Sequence, residues 1–62
     1  MPLVHVHLRQ GRSIEHKRKL VAAMTEAIVK SLSVKPEGVR IVLHEMAKEN
    51  YAIAGVLDAD KK

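Results

Sequence analysis

Four residue types in this chain can do chemistry without a metal or a thiol: proline at position 2, arginine at 9, 12 and 40, tyrosine at 51, and histidine at 5, 7, 16 and 44. An initiator methionine is trimmed when the next side chain is small, so Met1-Pro2 is expected to mature to a chain that begins at Pro2. The exposed group is then a secondary amine in a rigid ring. It acts as a base or a nucleophile if its surroundings keep it unprotonated. Apolar burial and nearby cations both disfavour the protonated form. Arg9, Arg12 and Arg40 can supply charge that is not relieved by loss of their own protons. With Met1 retained the nitrogen is an amide and this chemistry is closed. The plain alternative is a proline that only starts a strand, where its missing N–H does little harm.

Arg12 and Arg40 suit a substrate with two carboxylates, because each guanidinium grips one end bidentately. Arg40 sits in an otherwise apolar stretch, where an arginine must be paired or face water. Glu37 and Glu45 are the candidate partners if its role is structural. Arg9 is either a solvated loop residue or an added positive charge in the site. His5 and His7 share a strand face, but two imidazoles do not make a zinc site and nothing fixes the distance to His44, so no metal is expected. The run His16-Lys17-Arg18-Lys19 reads as a solvated face at the end of a helix that does not favour cations.

These residues need elements to position them. Leu3-Val-His-Val-His-Leu8 alternates, with Val4, Val6 and Leu8 on one face, and predicts a strand over residues 2–8 that Pro2 can begin. Arg9-Gln10-Gly11-Arg12 predicts a turn, with Gly11 taking positive φ. Ser13 is a fitting N-cap, although His16 stands where a capping box has Glu or Gln. Residues 14–32 carry a helical stripe of Ile14, Leu20, Val21, Met24, Ala27, Ile28 and Leu32. Pro36 and Gly38 end that segment. Val39 to Met46 predicts a second strand buried on both faces, with Arg40, Val42 and His44 on one side. Residues 47–57 read as a loop or short hairpin, and 58–62 as a polar tail that frays.

Strand, helix and strand give an α/β chain, a single β-α-β unit with parallel strands and a short C-terminal hairpin, forming one domain over residues 1–62. The 62 residues are 47% hydrophobic but include no Phe, Trp or Cys. So small a chain has a marginal core and no disulfides to reinforce it. Two open sheet edges and surplus apolar surface both predict self-association. The net charge of +4 points to anionic partners. A single Tyr cannot stack successive bases, which argues against single-stranded nucleic acid. No apolar run reaches membrane-spanning length and no signal peptide is evident, so the expected compartment is the cytoplasm.

Pro2, the stretch His7-Leu-Arg-Gln-Gly-Arg-Ser13, Arg40, the run Glu45-Met-Ala-Lys48 and Tyr51 together resemble the 4-oxalocrotonate tautomerase family, from Pro2 to about Leu57 without a gap. The resemblance implies a hexamer, a trimer of dimers, with the amino-terminal proline in a pocket between subunits. It implies a cofactor-free isomerase that ketonises 2-hydroxydienoates such as 2-hydroxymuconate, giving 2-oxo-3-hexenedioate. Pro2 would be the general base, and Arg12 and Arg40 would hold the carboxylates. Arg40 would also polarise the 2-keto oxygen, and Tyr51 would wall the pocket.

The chain departs from the family pattern at several positions. Tyr51 replaces the more familiar Phe, and Ala52 and Ala54 replace glycines. Arg9 replaces an apolar residue and is similar to an extra arginine of the related trans-3-chloroacrylic acid dehalogenases. Those enzymes also need a water-activating Glu, and Ile53 stands in its place, which argues against dehalogenation. Two other classes compete: a basic DNA-binding dimer of the ribbon-helix-helix kind, and an oligomeric module without catalysis. The first needs a second helix where residues 39–43 carry the β-branched Val39, Ile41 and Val42.

Overall fold

The computed structural model describes residues 1–61. Strand β1 (Leu3–Arg9) leads into helix α1 (Ile14–Leu32), a 3-10 turn at Pro36–Gly38, and strand β2 (Arg40–Met46). A second 3-10 turn, Lys48–Asn50, precedes a hairpin of β3 (Ala52–Ile53) and β4 (Val56–Leu57), and a third spans Asp58–Asp60. β1 and β2 pair in parallel, from Leu3 opposite Arg40 to Arg9 opposite Met46. The expected β-α-β unit with a small C-terminal hairpin is therefore present. Residues 40–46 form a strand, so the second helix of a ribbon-helix-helix protein is absent.

Local chemistry explains the boundaries. Gly11 takes φ +117°, which a side chain would resist, and lets the chain leave β1 for the helix. Ser13 Oγ accepts from the His16 backbone N–H at 3.2 Å and lies 3.1 Å from His16 Nδ1. His16 thus packs its ring onto the cap hydroxyl instead of returning to the cap backbone as a capping-box Glu does. The helix stops at Leu32 because Ser33 adopts the left-handed conformation, φ 54° and ψ 46°.

One face of the sheet packs on α1. Val4, Val6 and Leu8 of β1 and Ile41 and Leu43 of β2 are half-buried there, against Leu20, Val21, Met24 and Ile28. Lys17 joins this layer and pairs with Glu45 at 2.7 Å, so the basic run is not wholly a solvated face. Ile14 and Leu32, expected in the apolar stripe, are 62% and 58% exposed. The 19-residue helix, about 28 Å long, outruns a seven-residue strand of about 23 Å, so its two ends overhang the sheet. Ala27 is also exposed, while Thr25 and Val29 complete the inner stripe.

The other face of the sheet is open. It carries Leu3, His5, His7 and Arg9 from β1 and Arg40, Val42 and His44 from β2, all exposed, with half-buried Met46 at its end. β2 is therefore covered on one face within a chain, not on both. Among the described residues none is buried. The radius of gyration is 14.9 Å, where a compact domain of this length has about 11 Å. The accessible surface is 4952 Å², against about 4,000 Å² for a compact monomer of this size. Both values describe an extended chain with more apolar surface open than a compact monomer leaves.

Asp58, the first residue of the expected polar tail, is tied to the body of the chain. The Asp58 N–H donates to the Tyr51 carbonyl at 2.7 Å, and its carboxylate approaches Arg9 at 3.8 Å. Lys62 lies outside the described residues.

Candidate active site

Pro2 and Arg40 stand together at the start of the sheet. The Arg40 backbone N–H donates to the Pro2 carbonyl at 3.0 Å, extending the ladder one step before β1 begins. Pro2 is half-buried, while Met1 is 80% exposed. The Arg40 side chain lies on the open face. Glu45 is taken by Lys17, and among the described residues Arg40 forms no ion pair with Glu37 or any other carboxylate. A guanidinium without an internal partner is available to a ligand.

The other candidates gather at the far end of the sheet. A cavity of about 530 Å³ opens there, lined by His7, Leu8, Arg9, Arg12, Met46 and Tyr51. Arg9 is the last residue of β1, not a loop residue, and its guanidinium carbon lies 4.7 Å from the centre of the Tyr51 ring. A cation over an aromatic face at this distance contributes about 0.5–1 kcal/mol at an exposed site. Arg12 reaches the same cavity from the turn that opens α1. It also lines a smaller one of about 380 Å³ with Leu8, His16, Lys17, Lys19 and Leu20.

Within one chain the two groups are anchored at opposite ends of the sheet. Arg40 and Met46 begin and end β2, and at about 3.3 Å per residue they lie about 20 Å apart. That is well beyond the span of a six-carbon diacid. Within the single chain Pro2 therefore stands apart from Arg12 and Tyr51.

Sequence reasoning missed three contributors. Met46 follows from parallel register, because it pairs with Arg9 and so comes to the same end of the sheet. His7, one of two strand imidazoles given no role in the site by the sequence, lines the cavity. Asp58 gave no sequence signal.

The histidines of the open face form a cluster. His5 Nδ1 and His44 Nε2 are 2.8 Å apart, with rings 11° from parallel and centroids at 5.1 Å. The short separation and the nearly common plane describe an edge-to-edge N–H···N bond, in which one ring donates and the other accepts. His7 stacks on His44 at 4.8 Å. Ring nitrogens turned toward each other leave no room for a shared cation, and no group of three metal-ligating side chains forms among the described residues.

The comparisons fit this architecture. Residues 2–61 match the family described as "Tautomerase enzyme". A probable tautomerase of Halalkalibacterium halodurans is 43% identical over 61 residues, 98% of this chain and all of that protein. A structure from work on the 4-oxalocrotonate tautomerase isozymes of Methylibium petroleiphilum superposes with TM-score 0.89 at 43% identity, covering 94% of this chain and 91% of that one. A heterohexameric 4-oxalocrotonate tautomerase from Chloroflexus aurantiacus gives TM-score 0.91 at 26% identity, with both chains covered in full. A match over nearly the whole length, with the same strand-helix-strand frame, makes this chain a member of the tautomerase enzyme family.

Proposed function

We propose that this protein is a cofactor-free 4-oxalocrotonate tautomerase-like isomerase that ketonises 2-hydroxydienoates, with 2-hydroxymuconate going to 2-oxo-3-hexenedioate. After removal of Met1, the Pro2 amine takes the proton of the 2-hydroxyl group. The C2–O bond becomes a carbonyl, the conjugated double bonds shift, and the amine returns the proton to C5. Arg40 stabilises the charge that develops on the C2 oxygen, as preorganised donors at a developing oxyanion do. Arg12 holds the remote carboxylate bidentately, and Arg9 adds positive potential beside it. The Tyr51 ring walls the pocket and limits water, which favours the neutral amine.

The observation that carries this reading is the division of the site between the two ends of the sheet. The Pro2 end of one chain must meet the Arg9, Arg12 and Tyr51 end of another. A homo-oligomer follows, and a hexamer built as a trimer of dimers closes both sheet edges and covers the open face. No helix among the described residues is long and apolar enough to cross a membrane, and the proposed compartment is the cytoplasm.

An ultraviolet assay of ketonisation with 2-hydroxymuconate and phenylenolpyruvate side by side tests the substrate class. A clear preference for the diacid supports the paired arginines. Equal or better use of the monoacid overturns them as a two-carboxylate clamp.

A further inference from the structure

We infer that His5, His7 and His44 make the pairing of this chain with further copies of itself proton-sensitive: a covered sheet face holds the cluster with at most one added proton, and further protons drive the copies apart. The inference rests on the proposed homo-oligomer and not on its reaction.

Three observations carry it. First, the cluster occupies the middle of the open face. Parallel register sets Leu3 opposite Arg40, His5 opposite Val42, His7 opposite His44 and Arg9 opposite Met46. The arginines thus stand at the two ends, and the middle carries no formal charge while its imidazoles are neutral. Second, the bond between His5 Nδ1 and His44 Nε2, 2.8 Å long, needs one donor and one acceptor. It survives in the neutral pair, and it survives one added proton, which makes the donor ring an imidazolium. With both rings protonated, two N–H groups meet and no lone pair is left between them. His7, stacked on His44 at 4.8 Å, adds a third like charge when it too is protonated. Third, a second copy is an occupant of fitting size. The accessible surface of 4952 Å² exceeds that of a compact monomer by about 1,000 Å². Each partner in a stable interface covers about 800 Å². Exposed Leu3 and Val42 supply apolar contact beside the imidazoles.

Nothing around the cluster compensates added charge. Arg40 stands at one end of the face, and Arg9 at the other, with Asp58 at 3.8 Å and the Tyr51 ring beside it. Arg12 shares the cavity that His7 lines. Lys17 and Glu45 pair with each other on the opposite, helix-covered face. Covering the open face withdraws the water that would solvate extra protons on the imidazoles, and the arginines add repulsion. The covered cluster therefore binds fewer protons than the open one. An imidazole in ordinary surroundings takes up its proton at about pH 6.5. Assembly is then at full strength above that range and weakens as the pH falls through it.

Sedimentation of the mature protein from pH 8 to pH 5.5, at fixed ionic strength, reads the concentration at which half of the chains are assembled. In the variant His5→Gln/His44→Gln the two amides bond each other without titrating. The rise in that concentration should be roughly 100-fold larger for the wild type than for the variant, as expected when two protons per chain are withheld. The Pro2 amine and His16 titrate in both proteins and cancel in the ratio. A ratio near one overturns the inference. A wild-type chain that stays single at pH 8 and millimolar concentration overturns it together with the homo-oligomer.

The wild type gives a second readout that needs no variant to fold. In the imidazole nitrogen resonances of the assembled protein at pH 6, His5 and His44 together should carry no more than one added proton. Two fully charged rings in the assembly overturn the inference. Failure of the proton-transfer reading looks different: no enol acid is ketonised, yet the pH ratio holds.

Discussion

Arg40 donates its backbone N–H to the carbonyl of Pro2 at 3.0 Å, which fixes the start of β2 beside the start of the chain. The contact sets Pro2 and Arg40 at one end of the sheet, while Arg12 and Tyr51 stand at the other. An active site that needs all four is a property of an assembly, and mixing experiments can test that.

Assayed at substrate well below KM, chains that retain Met1 should be inactive, and chains carrying Arg12→Ala should keep about a tenth of wild-type activity or less. Unfolded together and refolded as a mixture, they should recover about one quarter of wild-type activity, because one half of the Pro2 amines and one half of the Arg12 side chains are intact and combine at random. Recovery is read in the 2-hydroxymuconate assay. A mixture no more active than the average of its components would place the whole site within one chain.

The two arginines proposed to bind substrate should fail in different ways. Arg40→Ala is expected to lower kcat by about 10²–10³, as removal of an oxyanion donor does. Arg12→Ala should chiefly raise KM, by about tenfold or more, since it removes a charged hydrogen bond that ground state and transition state share. Steady-state kinetics separates the two, and identical changes in both constants for both variants would reject the division of labour.

The hairpin holds a small reservoir of strain. Ala54 has φ 54° and Gly55 has φ 82°, the two positive values of a two-residue hairpin turn between β3 and β4. Alanine resists the left-handed region, at about 1 kcal/mol or more, and glycine's greater freedom in the unfolded chain offsets part of that. Ala54→Gly should therefore stabilise the protein by a few tenths to about 1 kcal/mol, measured by denaturant titration at fixed protein concentration. Destabilisation would show that the Ala54 methyl packs favourably in the assembly.

Removal of the Ser13 hydroxyl tests the helix start. Ser13→Ala leaves the His16 N–H and the His16 ring without their common partner and should destabilise the protein by about 1 kcal/mol. Ser13→Asp should restore most of the loss. If Ser13→Ala is neutral, the cap is not a source of stability in the assembly.

Much of this was legible in the sequence because period and punctuation agreed. Alternation in β1, Gly11 and Ser13 at the turn, and Pro36 after the helix each point to the same β-α-β frame. The site was legible only in part. Pro2, Arg12, Arg40 and Tyr51 stand out by residue type, yet their separation into two ends appears only once parallel register sets Arg9 beside Met46. Ile14 and Leu32 misled because helical period takes no account of where a short sheet ends. Asp58 looked like part of a loose tail because its tie is a backbone bond to Tyr51, which no side-chain pattern announces.

The most direct test is the rate of 2-hydroxymuconate ketonisation by matched preparations with Pro2 as the first residue and with Met1 retained, each shown by mass to be uniform and by sedimentation to be equally assembled. The Pro2-first protein should turn over substrate and the Met1-retained protein should not. Equal rates from the two would contradict the assignment of the Pro2 amine as the base.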